Sequence, residues 1–188
     1  MPRAQKKSQL LEVAIEHFNR NGFHATGIDL ILEESGVAKN TLYRHFPSKE
    51  ALIIEALRVI DSRYRENMRV AVDQAKTPRE KLLATFAYLE QWFSGTGFYG
   101  CPFMSAASEY CDADHPIFQE ASMHKHLVEA YFEELARAGG YENPREIAEQ
   151  INLLHEGATS IAHVTESAEP ARLAKAMAEA LLTEKAKK

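Results

Sequence analysis

Gly36-Val37-Ala38-Lys39-Asn40-Thr41-Leu42-Tyr43-Arg44-His45-Phe46-Pro47-Ser48-Lys49 decides how this chain is read. The stretch holds three Lys/Arg, one His and one Tyr but no acid, whereas the whole chain carries 22 Lys+Arg against 27 Asp+Glu. A cationic island on an anionic molecule points to a phosphate-bearing partner. The pattern is a turn at Gly36, then a short helix over Lys39–Phe46 with Leu42 and Phe46 inward. Pro47-Ser48 breaks that helix, and the serine caps the next one. The outer face of the short helix presents Lys39, Asn40, Thr41, Tyr43, Arg44 and His45. That is the layout of a helix-turn-helix, in which one helix braces across the DNA backbone and the next enters the major groove.

The residue types suit such a task. Lys39 and Lys49 are point charges for phosphate, and the hydroxyls of Thr41 and Tyr43 donate to phosphate oxygens. Arg44 can fork onto guanine and Asn40 onto adenine. The helix beginning at Ser48 adds backbone N–H groups and a positive dipole end. The plainer alternative is a three-helix bundle with a solvated basic face.

Working outward, every segment reads as helix. Leu11, Ala14, Ile15 and Phe18 recur at helical spacing before a stop at Asn21-Gly22. Thr26-Gly27-Ile28-Asp29 reads as a capping box opening a second helix over Ile28–Ser35, and Thr26 joins the DNA-facing set there. The long fourth helix runs from Ser48 to about Lys76. Thr77-Pro78-Arg79-Glu80 caps a fifth, to about Phe93. A sixth covers Phe103–Tyr110, and a seventh starts at Asp114-His115-Pro116 and ends at Gly139-Gly140. Asn143-Pro144-Arg145-Glu146 caps an eighth, to about Thr165, and Pro170 opens the ninth. The expected fold is all-α with nine helices: a head over residues 1–48 and a body over 49–188, with 49–76 the connecting helix. The lysine-bearing ends are expected to be disordered.

Bulk properties agree. The chain has 188 residues, 45% of them apolar, enough for a real core. No apolar run approaches the ~20 residues of a membrane span, and no signal core follows the basic N-terminus. A soluble cytoplasmic protein is expected, with no membrane partner. Residues 1–65 hold 10 Lys/Arg and 8 Asp/Glu, net +2, and residues 66–188 hold 12 and 19, net −7. Such a split suggests that only the head meets an anionic polymer.

Residues 8–54 resemble the DNA-binding domain of the tetracycline-repressor (TetR) family. The resemblance is carried by Ala14, Phe18, Gly22-Phe23, Ala25-Thr26, Ile28, Ile31, Gly36-Val37 and Thr41-Leu42-Tyr43-Arg44-His45-Phe46-Pro47-Ser48-Lys49-Glu50-Ala51-Leu52. Length and helix count also fit that family. The resemblance implies a dimeric transcriptional repressor that a small ligand releases from a palindromic operator. It places Tyr43, His45 and Lys49 on phosphates and makes Lys39, Asn40, Thr41 and Arg44 the variable reading positions. This chain departs from the pattern at Ala38, where the family usually caps the helix with Ser, and at Asn40, which is often Gly. Losing the cap hydroxyl should cost about 1 kcal/mol locally, unless Thr41 or a phosphate compensates.

The body has no signature so specific. In the family it dimerises and binds an effector. Ile147, Ile151, Leu154, Ala158 and Ile161 step by alternate fours and threes, and Leu173, Met177 and Leu181 make a similar stripe. Two such helices from each chain make a four-helix interface, although the same stripes would also serve a monomer core. Aromatic residues crowd residues 86–132. From there and from the eighth helix come the candidates for a small apolar or aromatic effector: Trp92, Phe93, Phe103, Met104, Glu109, Tyr110, Phe118, Met123, His155 and Thr159. Ring-rich helices serve as plain core equally well, and packing is the simpler use of His155. The loop Gly95–Phe103 is a candidate gate, and its Gly100-Cys101-Pro102-Phe103 turn resembles a recurring variant of the family's ligand domain.

Cys101 and Cys111 are too few for a disulfide framework. They leave open a redox- or metal-responsive regulator of the same fold. Neither cysteine has the ligand spacing of a zinc motif, so no metal site and no cofactor is expected. Nothing resembles a catalytic elbow, a phosphate loop or a carboxylate pair, so no enzyme is expected.

Overall fold

The computed structural model describes residues 3–184, all of whose regular elements are α-helices. They are α1 (Arg3–Asn21), α2 (Ile28–Ser35), α3 (Lys39–His45), α4 (Lys49–Val72), α5 (Pro78–Phe93), α6 (Pro102–Glu109), α7 (Pro116–Ala138), α8 (Pro144–Thr165) and α9 (Glu169–Glu184). The expected disorder beyond Glu184 falls outside the described residues. At the other end, Lys6 and Lys7 lie inside α1 rather than in a loose tail. Lys7 Nζ reaches Glu55 Oε1 at 2.5 Å and stands 5.7 Å from the centre of the Phe46 ring.

Most boundaries follow from local chemistry. Gly36 ends α2 in the left-handed region at φ 61°. The Ala51 N–H donates to Ser48 Oγ at 3.1 Å, the cap expected for α4. Thr77 Oγ1 accepts from the Glu80 N–H at 3.2 Å, and Glu80 Oε2 accepts from the Thr77 N–H at 3.0 Å, a complete capping box. Two expected caps fail. Gly27, not Thr26, is the N-cap of α2, and no side chain bonds there. Asn143 makes no cap bond to α8, its amide turning instead to Glu146 Oε2 at 3.3 Å. α4 ends at Val72, one turn short of Lys76.

The chain forms two compact units. Met1–Arg63 and Cys101–His124 make the first. Its core joins Leu10, Ala14, Phe18, Phe23, Ile31, Leu42, Phe46, Leu52 and Ile53 to Phe103, Ala106 and Ile117. Three amphipathic helices of 19, 8 and 7 residues therefore share one core with the start of α4 and with α6, a segment distant in sequence. Tyr64–Gly100 and Lys125–Lys188 make the second unit. There α5, α8 and α9 pack on one another over Leu82, Phe86, Phe132, Ile147, Ile151, Ala158, Ala174 and Ala178. Packing thus divides the chain differently from the expected division into residues 1–48 and 49–188.

Candidate nucleic-acid interface

α3 is seven residues long and anchored by two apolar side chains. Leu42 is fully buried and Phe46 nearly so. With that face turned inward, Lys39, Asn40, Tyr43 and Arg44 are exposed, and Thr41 and His45 are half-buried. Ala38 is the N-cap and supplies no side-chain bond, and the Thr41 N–H closes the first turn on the Ala38 carbonyl at 2.8 Å. Lys39 Nζ lies 3.3 Å from Asp29 Oδ1 with both groups in water, a pair worth little energetically.

The brace under α3 is polar. His17 Nε2 meets Glu34 Oε2 at 2.8 Å and ties α1 to α2. Thr26 is fully buried, and its hydroxyl donates to the Gly22 carbonyl at 2.7 Å and the His17 carbonyl at 3.1 Å. The Thr26 side chain is therefore removed from the DNA-facing set: it ties down the α1–α2 turn. Lys49 is half-buried, and its Nζ donates to the His24 carbonyl at 3.0 Å. Burial pulls the Lys49 ammonium below the usual lysine range, and the Glu109 carboxylate opposes that shift.

The ten effector candidates divide between the units. Phe103, Met104, Glu109, Tyr110, Phe118 and Met123 belong to the first. Met104 and Met123 are exposed there, and Glu109 is occupied by backbone N–H groups of the α1–α2 turn. Trp92, Phe93, His155 and Thr159 belong to the second. Trp92 meets Tyr64, Phe93 and Phe98 at ring-centre distances of 5.4, 5.7 and 5.0 Å, a cluster that also takes in Tyr88 through Tyr64. Phe98 comes from the expected gate loop. Gly100 of that loop carries φ 87°, and a Cβ on it would lie 2.6 Å from His163 Nδ1, so only glycine fits.

His155 is buried between the rings of Phe86 and Phe132, 4.4 and 4.8 Å away. Thr85 Oγ1 donates to the Leu82 carbonyl at 2.6 Å and so accepts from His155 Nε2 at 2.8 Å, which assigns the proton to Nε2. Nδ1 has no hydrogen-bond partner among the described residues. Burial, helped by the Lys125 charge, pushes the imidazole down to about 3. Thr159 donates to the His155 carbonyl at 2.8 Å.

The expected dimer stripe on α8 is corrected. Ile147, Ile151 and Ala158 are buried in the chain's own core, and Leu154 packs half-buried against it. Only Ile161 of that set is exposed. The outward apolar residues of α8 are Leu153 at 74% and Val164 at 82% exposure, on the side away from Ile151 and Ala158, with Ile161 at the flank between the two sides. On α9 the expected Leu173 and Met177 do face out, Leu181 is half-buried, and the inward positions are Ala171, Ala174, Ala178 and Leu182. Periodicity marked one stripe on each helix, and the fold covers most of that on α8 while leaving Leu173 and Met177 of α9 exposed. Cys101 and Cys111 are not joined in a disulfide. Among the described residues no group of three or more His, Cys, Asp and Glu is placed to hold a metal, and no helix is long and apolar enough to cross a membrane.

Known proteins share this arrangement. A family model described as bacterial regulatory proteins, tetR family, matches residues 10–56. Another, described as the C-terminal domain of LmrA/YxaF-like transcriptional regulators, matches residues 78–177. The chain is 28% identical over 178 residues to the HTH-type transcriptional regulator YjdC of Escherichia coli (strain K12), covering 94% of this chain and 93% of that one. It is 27% identical over 174 residues to the HTH-type transcriptional regulator LmrA of Bacillus subtilis (strain 168), covering 90% and 93%. The crystal structure of a TetR-family transcriptional regulator from Streptomyces coelicolor matches with a TM-score of 0.92 at 25% identity, over 98% of this chain and 97% of that one. With matches across both head and body, the chain belongs to the TetR family and is a DNA-binding transcriptional regulator rather than an enzyme.

Proposed function

We propose that this regulator is a homodimeric repressor that holds a palindromic operator through α3 and is released by a small apolar or aromatic effector. The observation that carries the proposal is the polarity of α3. Leu42 and Phe46 are buried, and Lys39, Asn40, Tyr43 and Arg44 stand in water with no acid on the same helix. Support for the dimer comes from Leu153, Ile161 and Val164 on α8 with Leu173 and Met177 on α9, large apolar side chains left exposed on two neighbouring helices. A two-fold axis sets two heads about 34 Å apart, the repeat of the major groove. Support for an apolar effector comes from the second unit, where Tyr64, Tyr88, Trp92 and Phe98 cluster and the imidazole of His155 is held neutral. α4 is one continuous helix common to both units. An effector that prefers a tilted α4 by about 1–3 kcal/mol would lower operator affinity by the same amount.

Selection of bound duplexes from random sequence tests this, followed by gel-shift titration with planar aromatic compounds. Symmetric half-sites one helical turn apart, and release by an aromatic compound, are the expected results. Lack of any salt-sensitive duplex binding would sink the operator reading. Release by an oxidant or a chelator, abolished in the Cys101→Ser, Cys111→Ser double variant, would replace the effector with a redox or metal signal.

A further inference from the structure

Glu109 ends α6, yet its carboxylate is spent on a turn 86 residues away in the sequence. Oε1 accepts from the Phe23 N–H at 2.8 Å and Oε2 from the His24 N–H at 2.5 Å. His24 Nδ1 stands 3.4 Å from Oε2, and the His24 and Tyr110 rings are 4.6 Å apart. The turn is shaped to receive an anion. Gly22 carries φ 86°, and a left-handed residue after a helix swings the following N–H groups to one side, forming a concave anion seat. A Cβ on Gly22 would lie 3.0 Å from Oε1, so the carboxylate sits hard against the glycine. Lys49 closes the other side, its Nζ donating to the His24 carbonyl.

The turn thus held is the joint between α1 and α2. It contains Thr26, whose hydroxyl fixes the joint from inside. It is also tied to Lys49, which the family pattern puts on phosphate. The family model for the head ends at residue 56, and Glu109 lies well beyond it.

We propose that Glu109 is a positioning residue for DNA binding. By filling the anion seat of the α1–α2 turn from α6, it sets the entry of α2 and the place of Lys49, and hence the face that α3 presents to the groove. α6 is on this reading a working part of the DNA-binding unit.

The test uses the full-length protein and a duplex selected by the parent from random sequence, with affinity read by fluorescence anisotropy. Glu109→Ala is expected to weaken binding about tenfold, the scale of one charge-assisted hydrogen bond, with the selected consensus unchanged. Glu109→Gln should fall between, because its amide keeps one acceptor but turns N–H groups towards a backbone N–H. Glu120→Ala is the control: it removes a carboxylate of the same unit that pairs with Arg58 and does not touch the turn. It should bind as the parent does. Hydrogen exchange at the Phe23 and His24 amides should quicken in the Glu109 variants and not in Glu120→Ala. Parent-like affinity with slow Phe23 and His24 exchange in Glu109→Ala would overturn the proposal, and so would a loss no greater than that of Glu120→Ala. If Glu109→Ala does not fold, Glu109→Gln carries the test, and parent-like affinity and exchange there overturn it equally.

Discussion

His155 is a residue whose chemistry the fold changes strongly. Its solution value near 6.5 drops to about 3 because the imidazole is buried against two phenyl rings. The unfolded chain therefore binds a proton that the folded chain refuses. Folded stability is complete above 6.5 and is lost as pH falls towards 3, by up to about 1.4 kcal/mol per pH unit. His155→Gln keeps a donor for Thr85 but does not titrate. Melting curves across that window should show the parent losing stability more steeply than this variant, and parallel curves would refute the buried neutral state. At the interface the two roles of exposed residues separate. On the proposed role, Tyr43→Ala removes a hydroxyl that holds a phosphate without reading sequence, so it should weaken all duplexes alike. Arg44→Ala should relax base preference at one position, at a cost of about 1–3 kcal/mol for the preferred base. A comparison of selected-site consensus sequences decides between these outcomes.

At the scale of the element, ends were legible where a cap is local. The Thr77–Glu80 box is complete within four residues, and hydrogen bonds from Thr77 and from the Lys76 backbone hold the Glu80 carboxyl below its usual range. Thr77→Ala should cost about 1 kcal/mol, lowering the melting temperature by about 2–4 °C in a protein of this size, as calorimetry would check. A melting temperature equal to the parent's would mean that packing of α5 alone fixes its start. Thr26 and Asn143 carried the same sequence signal and did not cap. Thr26 found two carbonyls in a buried turn, and Asn143 found a glutamate side chain. A hydroxyl or amide near a helix start takes the best partner the tertiary setting offers, and that need not be the helix.

Across the whole molecule, the outward face of α8 and α9 is the chief feature. Leu153 and Val164 are among the most exposed large apolar residues, and each left in water forfeits roughly 1.5–3 kcal/mol of burial. Charges placed there by Leu153→Asp with Val164→Glu should leave the fold intact, since neither side chain packs in the core, and should turn a dimer into a monomer. Sedimentation velocity reads the mass directly. The same double variant should lose at least about tenfold in affinity for a two-half-site duplex while holding a single half-site as the parent's one head does. A parent that sediments as a monomer would remove the interface from this face.

The sequence by itself determined the succession of helices, the exposed side of α3 and the family, because these rest on caps, breakers and spacing within one or two turns of chain. Leu42 and Phe46, four residues apart, fall on one face, and a short amphipathic helix has to bury that face. The tertiary structure alone decided three things. It turned Ile147, Ile151 and Ala158 inward, into one core with residues of α5 and α9 that lie far off in the sequence or on another helix. It withdrew Thr26 from the surface. It brought the carboxylate of Glu109 to the amides of Phe23 and His24, a pairing with no local signal, because it depends on where the chain returns after more than eighty residues.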